Sequence, residues 1–264
     1  MFHTIQHGSL EYLTADALEG SVHCFSTRYG GVSAGALTSL NLGTHRGDKP
    51  ENVYENYCIL GSAVGFRPED TVFTRQLHTD IVRAVGAENR GEGLLREQTT
   101  VCDAQITDEP GVALVAFAAD CTPILLFDPV RRAIGAVHAG WRGTALGIAA
   151  KAVQAMERTY GCKPENIRAA IGPCIGQCCF ETDSDVPEAM RTALGAEADA
   201  CIQRRSEKFH VDNKALNRIW LTRAGVKQID VSDACTMCRP DRFWSHRVTG
   251  GKRGSMAAII MLRE

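Results

Sequence analysis

The sequence lacks the features that mark exported, membrane-spanning and nucleic-acid-binding proteins. Its N-terminal residues contain neither a basic leader nor an apolar stretch, and no later apolar run approaches the roughly 18 residues of a membrane span. The formal net charge is −2 and the Lys and Arg residues are scattered, so no basic surface for a phosphate backbone is expected. We therefore expect a cytoplasmic protein that binds neither membranes nor nucleic acids.

Cysteine is plentiful, but its pattern does not indicate disulfide bonds. The eleven cysteines are an odd number in a chain of 264 residues, whereas disulfide frameworks are typical of short secreted chains. We expect reduced thiols. The C-x-x-C pair Cys235 and Cys238 could form a structural zinc site with Cys174, Cys178 and Cys179, but the spacing is unlike that of paired zinc knuckles. We interpret these five as ordinary buried thiols.

Hydrophobic runs and helical patterns follow one another along the chain and predict a mixed fold. Strands are expected at 22–25, 71–74, 112–117, 124–127 and 133–137, and helices at 51–64, 145–160 and 214–224. Asp212 and Gly225 should bracket the last helix, and Gly161 should end the second. The polar segments 87–97 and 195–208 do not separate two compositionally different halves. We predict one α/β (α+β) domain over residues 1–264, with mixed β-sheets layered with flanking helices.

The segment 118–144 contains a predicted hairpin that brings two metal-binding side chains together. Two apolar runs flank the turn-like Asp128-Pro129-Val130-Arg131. If the turn centres between Pro129 and Val130, Cys121 falls directly opposite His138, close enough for both to reach one metal ion.

A third ligand and an anion site are expected close to this hairpin. His78 stands among polar residues at a predicted turn, and one Cys with two His suits zinc. Three protein ligands leave a coordination position open, which is the catalytic arrangement, so we expect one Zn²⁺ per chain. After His138 the chain enters a glycine-bounded loop that opens a helix, where backbone amides and Arg142 could hold a phosphate or carboxylate.

Two alternatives to a zinc enzyme remain open on the residues alone, and a third is set aside. Cys121 and His138 are also the pair of a metal-free Cys–His hydrolase, which would require an Asn or Asp to orient the imidazole. A non-catalytic nucleotide-binding or partner-binding module braced by zinc is the second. A copper oxidase is disfavoured, because the eight histidines include no His-x-His motif.

Seven segments along nearly the whole chain form a recognisable set, namely Phe25–Ser33, Ser39–Asp48, Arg75–Asp80, Ala119–Pro123, His138–Thr144, Ile171–Gly176 and Phe243–Arg247. With these segments the chain resembles the laccase-domain family, also called polyphenol oxidase or multicopper-oxidase-like, of the purine nucleoside phosphorylase and peptidoglycan editing factor type. Thr79 departs from the family pattern, which commonly has glycine there, and Thr122 after the cysteine is also unusual.

This resemblance implies a zinc site and a reaction. His78, Cys121 and His138 take the positions of the family's zinc ligands. The implied activity is phosphorolysis of adenosine, inosine or methylthioadenosine, with adenosine deamination as a further activity and peptidoglycan-precursor editing as an alternative.

Four other residues are candidates for binding or proton transfer. Arg28, Asn41 and Arg46 are expected to bind phosphate or ribose, because arginine offers a planar fork to oxyanions. Asp120 is expected to orient a ligand or to transfer a proton.

Overall fold

The fold contains fifteen strands and six helices, and the computed structural model describes all 264 residues. The strands are β1 (Phe2–His7), β2 (Leu10–Ala15), β3 (Val22–Ser26), β4 (Thr71–Phe73), β5 (Val82–Ala84), β6 (Ala104–Thr107), β7 (Ala113–Ala118), β8 (Thr122–Asp128), β9 (Ala133–Ala139), β10 (Arg168–Ile171), β11 (Glu181–Thr182), β12 (Ile202–Arg205), β13 (Lys208–Val211), β14 (Gln228–Val231) and β15 (Met256–Met261). The helices are α1 (Pro50–Val64), α2 (Trp141–Ala145), α3 (Ile148–Tyr160), α4 (Asp185–Leu194), α5 (Asn213–Arg223) and α6 (His246–Thr249). No helix is both long and apolar enough to cross a bilayer.

Two six-stranded sheets form the centre of the molecule. The first sheet has the order β1-β2-β3-β15-β7-β4 and the second β14-β10-β8-β9-β6-β5, while β11-β13-β12 form a small third sheet. Both large sheets mix parallel and antiparallel pairs. The predicted class, mixed sheets layered with helices, is confirmed.

The hydrophobic core explains how these sheets stack. One cluster contains Leu114 and Ile260 of the first sheet together with Leu125 and Ile134 of the second, so the two sheets pack face to face. A second cluster joins the outer face of the second sheet to α3 and α5, and a third joins the outer face of the first sheet to α1. The strands of the inner layers are buried on both faces, which accounts for their continuous apolar runs.

The helix expected at 145–160 begins later than predicted. Gly147 adopts a left-handed conformation with φ of 74° and separates the short α2 from α3. A β-carbon there would lie 3.3 Å from the Trp220 ring, so glycine suits both the turn and the packing. The predicted caps are confirmed: the Asp212 carboxylate accepts a hydrogen bond from the Ala215 amide, and Gly161 is left-handed after α3.

Candidate metal and substrate site

Three side chains from different parts of the fold meet at the edge where the two large sheets face each other. The ligand atoms of His78, Cys121 and His138 lie within 4.8 Å of one another. His78 follows β4 of the first sheet, while Cys121 immediately precedes β8 and His138 lies in β9 of the second sheet. The structure thus brings together all three residues expected to bind metal.

The predicted hairpin register is wrong by two residues, although the predicted face is right. His138 pairs with Pro123 and Ala139 with Thr122, so Cys121 lies just beyond the last pair. The turn is longer than expected because the Asp128 carboxylate accepts hydrogen bonds from the amides of Val130 and Arg131. Since side chains alternate with a period of two, a shift of two keeps Cys121 and His138 on the face turned toward the first sheet.

Asp103, which the sequence analysis missed, organises this group of three candidate metal ligands. It is fully buried and accepts a hydrogen bond of 2.8 Å from Nδ1 of His138. The same carboxylate accepts hydrogen bonds from the backbone amides of Leu77, His78 and Thr79. It therefore fixes the His138 ring, leaves Nε2 free for a metal, and holds the His78 loop, which is the usual role of a carboxylate behind a metal-binding histidine.

Thr79 adds a contact that a glycine at this position could not make. Its hydroxyl donates a 2.7 Å hydrogen bond to Asp103. The departure from the family pattern therefore strengthens the attachment of this loop.

A sequence signal for Asp103 did exist: it is an acidic residue directly before four buried strand residues, Ala104–Thr107.

The pKa shifts at this site have identifiable physical causes. Burial opposes ionisation of Asp103, but hydrogen bonds from His138 and Thr79 outweigh it and lower its pKa to about 2. Burial likewise opposes protonation of His138, but the neighbouring Cys121 and Asp103 raise its pKa to about 9. Burial, with the proximity of His138, lowers the pKa of His78. The negative charges of Cys121 and Asp103 thus favour a positive charge at His138.

Gly140 is required by the close approach of the backbone to the ligands. A β-carbon at this position would lie 2.2 Å from Nδ1 of His78 and 3.3 Å from the Cys121 sulfur. His78 itself has a positive φ of 61°, which non-glycine residues rarely adopt outside functional sites. The loop geometry and the absence of a side chain at Gly140 together determine the position of His78.

We expect Gly140→Ala to lower zinc affinity by about 10-fold or more, because the new methyl group must displace His78 from the ligand group. Zinc competition titration with a chromogenic chelator measures this. Gly135→Ala, in the strand β9 that precedes Gly140, is the matched control, since its β-carbon would make only ordinary contacts of 3.4 Å with Ile106 and Leu126. Equal affinities in both variants would show that His78 is not a ligand.

The ligands open into the main cavity of the molecule, whose volume is about 610 Å³. This volume lies within the range of small-molecule sites. Phe73 and Phe117 form an aromatic wall, with ring centroids 4.9 Å apart in an edge-to-face arrangement. Gln76 fixes Phe117 by hydrogen bonds to both its backbone N–H and its carbonyl.

Arginines give this cavity a basic wall, and four of them line it: Arg46, Arg75, Arg96 and Arg253. Arg46, expected from the sequence, and Arg253, which was missed, both line it together with Ser255. Arg253 is only 8% exposed, and its Nε has no hydrogen-bond partner. Burial, with the nearby charge of Arg46, lowers the Arg253 pKa to about 10. A buried guanidinium with an unused donor suits an anionic ligand.

The other residues expected to bind phosphate or ribose lie outside this cavity. Arg28 stacks on Trp244 and donates to the carbonyls of Thr38 and Pro240. Asn41 is buried and its side chain bonds to Gly43, Asp48 and the amide of Ser255, so it supports the cavity wall from behind.

Arg142 and Asp120 also lie apart from the cavity lining. Arg142 stacks on Trp141 in the five-residue α2. Both oxygens of Asp120 are occupied, Oδ1 by the Thr236 hydroxyl and Oδ2 by Ser245 and the Arg247 amide. With a positive φ of 83°, Asp120 instead shapes the turn that delivers Cys121.

The interpretation of the second cysteine group as ordinary buried thiols is wrong for three of its five members. Cys178 and Cys238 are exposed, Cys179 is partly exposed, and only Cys174 and Cys235 are buried. Four of the five, all except Cys174, converge on one point. All eleven cysteines of the chain are free thiols.

Comparison with known proteins identifies the family. Residues 22–263 match the family described as multi-copper polyphenol oxidoreductase laccase. The chain is 38% identical over 255 residues to purine nucleoside phosphorylase YlmD of Geobacillus stearothermophilus, covering 95% of this chain and 93% of that protein. It is 36% identical to purine nucleoside phosphorylase YfiH of Escherichia coli, covering 92% and 95%. The crystal structure of YfiH from Bacillus licheniformis superposes with a TM-score of 0.93 at 35% identity, covering 98% and 99% of the two chains. The chain therefore belongs to the multi-copper polyphenol oxidoreductase laccase family.

Proposed function

We propose that this protein is a zinc-dependent purine nucleoside phosphorylase acting on adenosine, inosine and methylthioadenosine. The observation that carries the proposal is the shared cavity, in which the His78, Cys121 and His138 group faces the same space as Arg46 and Arg253. The names of the relatives in Geobacillus stearothermophilus and Escherichia coli support the choice of reaction.

The donor set fits zinc. Two imidazoles and a thiolate are ligands that zinc prefers, and the cavity beside them leaves space for a fourth, exchangeable ligand. Asp103 supplies the carboxylate that orients His138. Bound there, zinc would act as a Lewis acid toward the substrate.

Arg46 and Arg253 are placed to hold phosphate. Their guanidinium groups would position one phosphate oxygen for attack on C1′ of the ribose. The C1′–N bond of the nucleoside then breaks, and the purine leaves with the bonding electrons and takes up one proton. The products are the free base and ribose 1-phosphate, or 5-methylthioribose 1-phosphate when the substrate is methylthioadenosine.

The aromatic wall suits the purine. Phe117 is partly exposed to the cavity and is held in place by Gln76, so its ring offers a rigid surface on which a base can stack. The cavity therefore combines a surface for the base, a basic wall for phosphate and a metal site.

The proposal is tested by phosphate-dependent release of hypoxanthine from inosine and of adenine from adenosine, measured on zinc-loaded protein. Base release that requires phosphate supports it, while base release independent of phosphate would indicate a hydrolase. The resemblance also implies adenosine deamination, in which water replaces the 6-amino group. Ammonia release in the same assay tests this second activity.

We expect Arg253→Ala to raise the KM for phosphate about 10- to 100-fold, because a charge-assisted hydrogen bond contributes roughly 1.5–3 kcal/mol. Arg253→Lys should recover part of this loss, since it keeps the charge without the fork. Arg158→Ala, an exposed arginine of α3, is the matched control. An unchanged phosphate KM in Arg253→Ala would remove this residue from the phosphate site.

A further inference from the structure

A second cluster of metal-binding atoms lies outside the cavity. The sulfur atoms of Cys178, Cys179, Cys235 and Cys238 all lie within 4.8 Å of one another. The Cys238 sulfur is 3.6 Å from that of Cys178 and 3.4 Å from that of Cys179. Two turns far apart in sequence therefore bring four thiols to one point.

These separations match a tetrahedral metal site better than a disulfide. A zinc ion with four sulfurs at about 2.3 Å places the sulfurs about 3.8 Å apart along each edge of the tetrahedron. A disulfide requires sulfurs about 2.05 Å apart. The distances between these sulfurs are therefore already close to those in a zinc-bound site.

The backbone of both turns holds the sulfurs in this arrangement. The amide of Gly176 donates a hydrogen bond to the Cys235 sulfur at 3.2 Å. The turn that carries Cys178 and Cys179 is closed by hydrogen bonds from the amides of Cys179 and Phe180 to the Gly176 carbonyl. The second turn is closed by the Arg239 amide, which donates to the Cys235 carbonyl. Amide donors that point at sulfur stabilise the thiolate form that metals bind.

We propose that Cys178, Cys179, Cys235 and Cys238 bind a second zinc ion as a closed four-thiolate structural site. Four protein ligands leave no position for substrate, in contrast to the three-ligand group in the cavity. Binding Zn²⁺ releases to solvent the proton of each thiol that is protonated beforehand, and no oxidant or reductant is involved. The proposal is independent of the reaction catalysed in the cavity.

The position of this second site indicates which part of the fold a bound ion would stabilise. Both turns hold Asp120, the residue before Cys121: the Ile175 amide donates to its carbonyl at 3.0 Å, and the Thr236 hydroxyl donates to its carboxylate at 2.6 Å. Thr236 lies between the ligands Cys235 and Cys238. The second ion would therefore stabilise the turn that positions Cys121, and its cysteines are positioning residues rather than catalytic ones.

Metal analysis of the full chain tests this inference. We expect two zinc ions per wild-type chain, and one in Cys238→Ser, Cys178→Ser and Cys121→Ala. Cys58→Ser, a partly buried cysteine of α1 outside both groups, should keep two. Cobalt substitution of the Cys121→Ala protein should give the intense thiolate charge-transfer bands of a four-sulfur site, a readout that does not depend on activity.

If the serine variants do not fold, alkylation of the wild-type cysteines still tests the proposal. We expect Cys178 and Cys238, although exposed, to resist alkylation until a chelator is added. One zinc per chain with immediate alkylation of both would overturn the proposal. Protection that survives the chelator and is lost with a reductant would indicate a disulfide and would overturn it as well.

Discussion

Cys121→Ala should lose phosphate-dependent base release from inosine, with kcat/KM at least about 10³-fold below that of the wild type. Removing one of three ligands takes the metal from the cavity, and a Lewis acid contributes several kcal/mol to transition-state stabilisation. Treating the wild type with a strong chelator should have the same effect, and zinc should restore its activity but not that of the variant. Steady-state kinetics with metal analysis of each sample measure both effects.

His78→Ala separates this chemistry from the metal-free Cys–His alternative. Asp103 hydrogen-bonds His138, so the orienting carboxylate that such a hydrolase requires is also present. A Cys–His–Asp triad does not use His78, whereas the proposed zinc site does. Activity that persists in His78→Ala and in chelator-treated wild type would therefore favour the triad, and its loss in both would favour zinc.

Asp103→Asn should lower zinc affinity about 10- to 100-fold and reduce the free energy of unfolding by at least about 2 kcal/mol. Oδ1 accepts from the His78 amide and the His138 ring, and Oδ2 from the Leu77 and Thr79 amides. Whichever oxygen becomes the amide nitrogen, two of these four donors lose their acceptor. For a chain of this size the loss corresponds to a Tm decrease of roughly 4–8 °C.

Calorimetry of the metal-free and zinc-loaded forms separates the two effects. The decrease in Tm should appear in the metal-free protein. It should be larger in the zinc-loaded protein, since zinc stabilises the variant less than the wild type. Asp108→Asn, an exposed aspartate near the end of the same segment, should change neither quantity. Wild-type stability in metal-free Asp103→Asn would mean that these hydrogen bonds do not anchor the loop.

The parts of the site that could be predicted are those encoded by local pattern. Alternation along β8 and β9 placed Cys121 and His138 on one face, and this survived the wrong register because the error was an even number of residues. The register itself depended on Asp128, whose side chain lengthened the turn. A side-chain hydrogen bond of this kind is not visible in a hydrophobic pattern.

The parts that could not be predicted depend on contacts between segments distant in sequence. Asp103 meets His78 and His138 only because β6 pairs with β9 and the loop after β4 folds over that edge. Arg253 enters the cavity from the far end of the sequence. Arg28 and Arg46 look equally suitable as anion binders in the sequence. In the folded chain, however, Arg28 stacks on Trp244, whereas Arg46 lines the cavity.

The central position of β15 in the first sheet has a consequence for biosynthesis. This strand, Met256–Met261, lies between β3 and β7, so the sheet cannot close until the ribosome has translated and released that part of the chain. The loop that carries Arg253 leads directly into β15, and β15 pairs with β7, the partner of the strand β4 that leads to His78. Metal loading of the cavity should therefore follow the synthesis of β15, and ribosome-bound chains that stop before Met256 should bind no zinc at His78, Cys121 and His138.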